Sequence, residues 1–187
     1  MRIFLGLGIM GMVFAGGCAT GLHSHSGNPS VNTTIPTAAS SFAATDRAWI
    51  EINVAMDEQL VPMLGLVDSH TGTAAVRDLG KKADASTKSE LLDLRRLHDQ
   101  AGLPAENPHK GMEMPGMVSS NQITQAGALR EADFDNYFKK CLREHLDQKE
   151  RLALGEKSSG QEPQTVSLAS RVLQEQASLS ALVRAER

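Results

Sequence analysis

Apolar residues recur every three or four positions through most of the chain beyond residue 45, and this spacing limits the fold more than any other feature. Because an α-helix has 3.6 residues per turn, side chains at this spacing share one face. No stretch shows the sustained alternation typical of a β-strand. The four stripes are Trp49, Ile52, Met56, Leu60, Met63 and Val67; Val76, Leu79, Ala83, Leu91, Leu94 and Ala101; Phe134, Phe138, Cys141, His145 and Leu152; and Leu168, Val172, Gln176, Leu179 and Val183. The sequence therefore predicts an all-α protein.

Local signals indicate where these helices end. Pro62 lies inside the first stripe and should kink that helix or remove one backbone hydrogen bond. Residues 102–104 read Gly-Leu-Pro, a stop signal for the second helix. Ser119 and Gln122 have the spacing of a capping box, which predicts a short helix after a loop rich in proline and glycine. Residues 158–164 are expected to form the loop before the last helix.

Four long amphipathic helices, with one short extra helix in the central connection, predict a four-helix bundle. The two halves of the chain also look alike. Each is a helix, a connection and a second helix that starts with a similar pair, Leu79-Gly80 in one half and Leu168-Ala169 in the other. We therefore expect an internal duplication of two helical hairpins.

The first residues have the pattern of an export signal. Met1-Arg2 is followed by an apolar run from Ile3 to Phe14 and then by small residues at 15–17. The run is shorter than the roughly 20 residues that a membrane-spanning helix needs. Residues 1–17 are thus predicted to be a signal peptide. Ala15-Gly16-Gly17-Cys18 resembles the bacterial lipobox, so we expect Cys18 to carry lipid, although ordinary cleavage nearby would leave it an incidental thiol.

A lipid on Cys18 would make the protein an exported lipoprotein held on a membrane. Residues 18–44 are rich in Ser, Thr, Gly, Asn and Pro and are expected to form a flexible tether, and residues 45–187 are expected to form the helical domain. Ala19 follows the cysteine, where an aspartate is usual in proteins retained at the inner membrane. In a cell with two membranes, we therefore expect the outer one.

Charge and cysteine content exclude some classes of protein. The formal net charge is −3, which gives no reason to expect nucleic acid as a partner. There are two cysteines, so with Cys18 lipidated, Cys141 has no disulfide partner. The leftover thiol is either a buried inert side chain, which is the commoner case, or a group for metal binding or redox chemistry.

Several segments together resemble one known family. They are Met114-Pro115-Gly116-Met117, Asn121 to Leu129, Ala132-Asp133-Phe134-Asp135 with Phe138, and also Trp49-Ile50, Glu90, Gly102-Leu103-Pro104 and Leu168-Ala169 with Gln176. Over about Asp46 to Val183, the chain is similar to the family called domain of unknown function 305. The resemblance implies an exported or membrane-tethered protein with a duplicated ferritin-like four-helix bundle, often associated with copper.

The resemblance is degenerate where that family carries its chemistry. The family has a pair of adjacent histidines in each half, followed six residues later by Met-Ala. Here the first pair falls on Met56-Asp57 and the second on His145-Leu146, so one histidine remains. The resemblance therefore supports the family's fold for this chain more strongly than it supports the family's function.

Two sets of residues are candidate metal ligands. Cys141 and His145 share a helix face, as do Met56 and Met63, so packing of the two helices could bring all four together. The second set lies in the central loop and comprises His109, Met112, Met114 and Met117. Thioether and thiolate ligands favour Cu(I). The alternative for both sets is ordinary packing, since Met and Cys commonly fill cores.

Enzyme chemistry finds little support in the sequence. A di-iron bundle needs Glu-x-x-His on two helices, but Glu106 to His109 is the only such pair and contains Asn-Pro. Ser69-His70 lacks a nucleophile turn, and no Gly-rich phosphate loop follows a strand. We expect a non-enzymatic lipoprotein that binds copper weakly. The alternative is a metal-free interaction protein that docks an envelope partner or a second copy of itself.

Overall fold

The structure is a computed structural model that describes residues 42–185. Within this range the chain is all-helical, as the apolar spacing predicts, and it forms six helices. They are α1 (Ala44–Leu64), α2 (Val67–His70), α3 (Ala74–Gln100), α4 (Ser120–Ala128), α5 (Glu131–Ser159) and α6 (Pro163–Ala185). The predicted signal peptide, Cys18 and nearly all of the predicted tether lie outside the described residues.

The four long helices pack side by side in the cyclic order α1, α3, α6, α5. Two apolar clusters fill the space between them. One surrounds Leu60, Leu79 and Phe138, and the other surrounds Trp49 and Leu97. Between them lies a layer of buried polar residues, one from each long helix: Asp57, Glu90, Lys149 and Gln176.

The predicted helix signals act as expected in α3 and α4. Gly102 has φ +60°, its N–H bonds to the carbonyl of Asp99, and the N–H of Leu103 bonds to that of His98. These are the paired bonds of a Schellman stop. At α4, the Ser119 hydroxyl accepts from the Gln122 N–H while the Gln122 side chain accepts from the Ser119 N–H. This confirms the capping box.

Two boundaries differ from the prediction. The first stripe was expected to continue through Val67, but α1 ends at Leu64, two residues after Pro62, and Val67 begins the separate helix α2. Val67 stays buried because α2 folds onto α3, where its side chain lies against Gly80. The loop predicted at 158–164 is also shorter, because α5 continues to Ser159.

The start of α6 has a local cause. Pro163 is its first residue, where the missing N–H of proline breaks no helical bond. The Glu162 carboxylate accepts hydrogen bonds from both the N–H and the hydroxyl of Thr165. These bonds satisfy a donor in the first turn that would otherwise be unpaired. Among residues 42–185, no helix is both long and apolar enough to cross a membrane.

Candidate functional site

A buried ion cluster occupies the middle of the helix assembly. Lys149 on α5 places its Nζ 2.5 Å from Asp57 Oδ1 on α1 and 2.6 Å from Glu90 Oε1 on α3. The three residues are 1%, 0% and 5% exposed. One ammonium thus holds two carboxylates on facing helices, a position that a metal ion takes in other bundles.

The charged groups of this cluster shift one another's pKa values. Burial lowers the pKa of the Lys149 ammonium, but Asp57 and Glu90 outweigh burial and raise that pKa above its usual value. Burial, followed by the charge of Asp57, raises the pKa of the Glu90 carboxyl to about 7. Lys149 therefore stays charged, while Glu90 titrates near neutral pH. Asp57 Oδ2 is buried without a hydrogen-bond partner among the described residues.

His145 adjoins this cluster through Asp57. Its Nδ1 lies 3.1 Å from the carbonyl oxygen of Gly116, which can only accept a hydrogen bond, so Nδ1 carries the proton. Its Nε2 lies 3.6 Å from Asp57 Oδ1. Burial lowers the pKa of His145 despite the nearby carboxylate. Both ring nitrogens therefore face oxygen atoms rather than sulfur.

The loop between α3 and α4 folds back onto α1 and α5 through a tight turn. Met114, Pro115, Gly116 and Met117 form this turn, in which the Met117 N–H bonds to the Met114 carbonyl at 3.0 Å. Gly116 has φ +82°, and proline followed by a positive-φ glycine is typical of a type II turn. The bond from His145 to Gly116 pins the turn against α5.

This turn brings methionines from the two predicted sets together. Met56 on α1 and Met117 are buried and packed in one cluster, at 0% and 5% exposure. Met114 is partly buried and packs against the same cluster. The grouping mixes one residue of the helix set with two of the loop set, which the sequence reasoning had kept apart.

The other predicted ligands lie elsewhere. Met63 and Cys141 belong to the larger apolar cluster, away from Met56, so the structure does not bring the four helix residues to a common point. Met112 is 41% exposed. His109 is half-buried, and its Nδ1 has no hydrogen-bond partner among the described residues.

Cys141 lies beside a cavity but is not poised to ionise. The cavity, of about 320 Å³, is lined by the 114–117 turn, Gln122 and Glu144. Gln122 Nε2 lies 3.8 Å from Cys141 Sγ. Burial first, and then the charge of Glu144, raises the pKa of the thiol. Cys141 is thus a protonated, buried side chain, in keeping with the inert alternative.

A second buried acidic group, which sequence reasoning missed, joins α1, α5 and α6. Asp46 and Glu156 are 0% and 1% exposed, and neither oxygen of the Glu156 carboxyl has another hydrogen-bond partner among the described residues, so the two carboxyl groups interact only if they share a proton. Burial, followed by Asp46, raises the pKa of Glu156 to about 8. Asp46 also accepts from the N–H groups of Gln161 and Glu162. Glu156 is therefore the protonated partner at neutral pH.

Comparison with known proteins identifies the family. The family described as Domain of unknown function (DUF305) matches residues 39–185. The chain belongs to the DUF305 family. None of the curated proteins is significantly similar to it.

Two solved DUF305 structures resemble the chain. A candidate secreted protein from Streptomyces coelicolor is 22% identical, with a TM-score of 0.66, and the match covers 74% of this chain and 89% of that one. A DUF305 fragment from Deinococcus radiodurans is 13% identical, with a TM-score of 0.69, and the match covers 77% of this chain and 95% of that one. At these identities the similarity shows a shared fold.

Asp57 on α1 and His145 on α5, which the sequence resemblance matches to two of the paired-histidine positions, face each other at 3.6 Å. Lys149 lies one helical turn beyond His145. Within residues 42–185, no three His, Cys, Asp or Glu side chains are grouped to hold a metal ion.

Proposed function

We propose that this DUF305 protein is an exported lipoprotein, held on a membrane through Cys18, that binds Cu(I) weakly through thioethers. The observation that carries the copper proposal is the packing of Met56 with Met117 and Met114. Thioethers are soft ligands that prefer Cu(I) to Zn(II) or Mg(II). We also propose that it is not an enzyme, because its sequence has no Glu-x-x-His pair placed on a helix and no nucleophile turn.

The donor set fits Cu(I) better than other metals. Three methionines from two segments meet at the 114–117 turn, where the neighbouring cavity gives access from solvent. The Cys141 thiol is protonated and His145 is held by oxygen atoms, so neither adds a ready ligand. Because all the sulfur donors of this site are uncharged, we expect it to bind Cu(I) weakly.

A Cu(I) titration against a competing chelator tests this proposal. The protein would be the full-length chain with Cys18→Ser, so that it purifies without lipid, and the Met114→Leu/Met117→Leu variant would bind at least tenfold more weakly. Met63→Leu is the control, because Met63 is also a buried methionine but lies in another cluster. Equal affinity of all three proteins, or a millimolar dissociation constant for the parent, would overturn the copper proposal.

A metal-free interaction protein is the second candidate. It is favoured by Lys149, whose ammonium lies between the two carboxylates that a metal ion would otherwise bridge. In this case the bundle serves to present a surface to an envelope protein or to a second copy of the chain. Failure of the Cu(I) titration together with recovery of a specific partner or a stable dimer would favour this function.

The membrane anchor rests on residues 1–18, and the Streptomyces relative, named a candidate secreted protein, supports export. Metabolic labelling with a radioactive fatty acid tests lipidation directly. Label should enter the parent chain and be lost in Cys18→Ser. In a cell with two membranes, we propose that the labelled protein fractionates with the outer one.

We also propose that the assembly is ferritin-like and arose by duplication of a helical hairpin. The support is that α1 pairs with α3 and α5 pairs with α6, the two hairpins expected from the halves of the sequence. Superposition of residues 44–100 on residues 131–185 would test the duplication. We expect the helix axes of the two hairpins to coincide, with Asp57 superposed close to His145 or Leu146.

A further inference from the structure

A surface groove lies between α1 and α5, apart from the cavity at the methionine site. It has a volume of about 490 Å³, within the range of small-molecule sites. Ala48, Trp49 and Ile52 on α1 and Leu152 on α5 give it mainly apolar walls. Gly155 also lines it, and a Cβ added there would meet no atom within 4 Å. The groove is therefore open beside Gly155.

One residue of the groove wall, Trp49, carries an unsatisfied hydrogen-bond donor. Trp49 is 4% exposed, and its Nε1 is buried without a partner among the described residues. Buried indole N–H groups usually have an acceptor, because leaving one unpaired costs roughly 1–3 kcal/mol. A ligand with an oxygen atom would supply that acceptor.

A positive charge lies at the edge of the groove. Arg151 lines it and is exposed, with Nε and Nη2 bonded to the amide oxygen of Gln148. In the described part of the chain, no carboxylate forms an ion pair with Arg151. Its remaining N–H groups match the planar geometry of a carboxylate or phosphate.

The size of the groove argues against a protein partner. A stable protein interface takes roughly 20–30 residues from each side, whereas nine residues line this groove. An open, mainly apolar groove with a cation at one edge is complementary to a single hydrocarbon chain with an anionic head.

We propose that this groove binds a single-chain anionic amphiphile of the fatty-acid class. The hydrocarbon chain lies between α1 and α5 along Ile52 and Leu152, and the carboxylate pairs with Arg151. The Trp49 N–H provides a second donor to the ligand. This inference goes beyond the proposed function and does not depend on copper binding.

The fluorescence of Trp49 provides a direct test, because it is the chain's only tryptophan. Dodecanoate, added below its micelle concentration to the full-length Cys18→Ser chain, should change the emission saturably. Arg151→Gln should weaken dodecanoate binding at least fivefold and leave dodecanol binding unchanged. Lys157→Gln, also on α5 but outside the groove, is the matched control for charge.

A blocking variant separates binding from folding. Gly155→Leu should fill the groove and weaken dodecanoate binding at least tenfold, while Gly127→Leu, at another glycine with free space around it, should not. If Gly155→Leu fails to fold, Ala48→Leu blocks the groove from the opposite wall.

Three results would overturn the proposal. One is the absence of a saturable response, and another is equal binding of dodecanoate by parent and blocked proteins. The third is occupation of the groove by something else. If the lipid on Cys18 occupies it, lipidation alone changes the emission of Trp49. If a second copy of the chain occupies it, the protein is a dimer that Gly155→Leu dissociates. Cu(I) affinity is measured separately, so a failure here leaves the copper proposal intact.

Discussion

Lys149 Nζ lies 2.5 Å from Asp57 Oδ1, and both side chains are almost completely buried. The contact joins α5 to α1 at the level where the two apolar clusters meet. Glu90 completes the cluster from α3. A charge buried this deeply is tolerated because it is paired, and removing one partner leaves the other uncompensated. The cluster therefore fixes how three of the four long helices are aligned.

Replacing Lys149 should strongly destabilise the protein. Lys149→Met keeps the volume but leaves Asp57 and Glu90 without their cation, so we expect a loss of about 3–5 kcal/mol in the free energy of unfolding. Urea denaturation followed by circular dichroism measures it. Adding Asp57→Asn and Glu90→Gln to Lys149→Met should recover most of the loss. A single-variant loss below about 1 kcal/mol would contradict the predicted role of the cluster.

Stability should fall as the pH rises through the range in which Glu156 ionises. Its folded pKa of about 8 lies above its ordinary value of 4.5. Its contribution is therefore fully present below about pH 4.5 and is lost as the pH rises through about 8. Glu90, with a folded pKa of about 7, adds a decline of the same sign.

Glu156→Gln should remove the part of this decline that is centred near pH 8. The amide can still donate to Asp46 but cannot ionise, so at pH 8.5 the variant should melt several degrees above the parent. At pH 5 the two melting temperatures should be closer. Glu150→Gln, at an exposed position on the same helix, is the control. If the melting temperatures of the parent and of Glu156→Gln change equally with pH over this range, Asp46 and Glu156 do not share a proton.

Two glycines in long helices should respond in opposite directions to alanine. At Gly80 an added Cβ would lie 2.6 Å from Cγ1 of the buried Val67, so Gly80→Ala should destabilise by about 1–3 kcal/mol. At Gly155 the space is open, so Gly155→Ala should stabilise α5 by about 0.5–1 kcal/mol. Thermal unfolding measures the change in stability for each variant. A change of the same sign in both variants would contradict this prediction.

The Cys141 thiol should react slowly with Ellman's reagent. It is 2% exposed and lies beneath α4, next to Gln122. Ser119→Ala removes the α4 cap, at a cost of about 0.5–2 kcal/mol, and should accelerate labelling. Ser120→Ala, one residue later and exposed, should leave the rate unchanged. If Cys141 of the folded parent reacts with Ellman's reagent as fast as it does in urea, α4 does not protect the thiol.

Much of the fold follows from local patterns in the sequence. The spacing of Trp49, Met56 and Leu60 gives the buried face of α1, and the Ser119 and Gln122 pair gives the start of α4. These signals are local, so they require no knowledge of the partner helix. The break between α1 and α2 was missed, because Val67 continues the apolar spacing although α2 is a separate helix packed on Gly80.

The buried polar layer had a signal that was not used. Lys149 follows His145 by four residues and therefore lies on the apolar face of α5, where a charged side chain needs a partner. Its partners Asp57 and Glu90 are far away in the chain, and only the packing order of the helices selects them. The meeting of Met56 with Met117 likewise depends on the direction in which the 114–117 turn folds back.

X-ray absorption spectroscopy of the Cu(I)-loaded full-length Cys18→Ser protein tests the copper proposal most directly. We predict that the nearest shell around copper consists of sulfur atoms, and that Met114→Leu/Met117→Leu loses this shell while Met63→Leu retains it. A shell of nitrogen and oxygen atoms alone, or a sulfur shell unchanged in Met114→Leu/Met117→Leu, would contradict a site built by Met56 and the 114–117 turn.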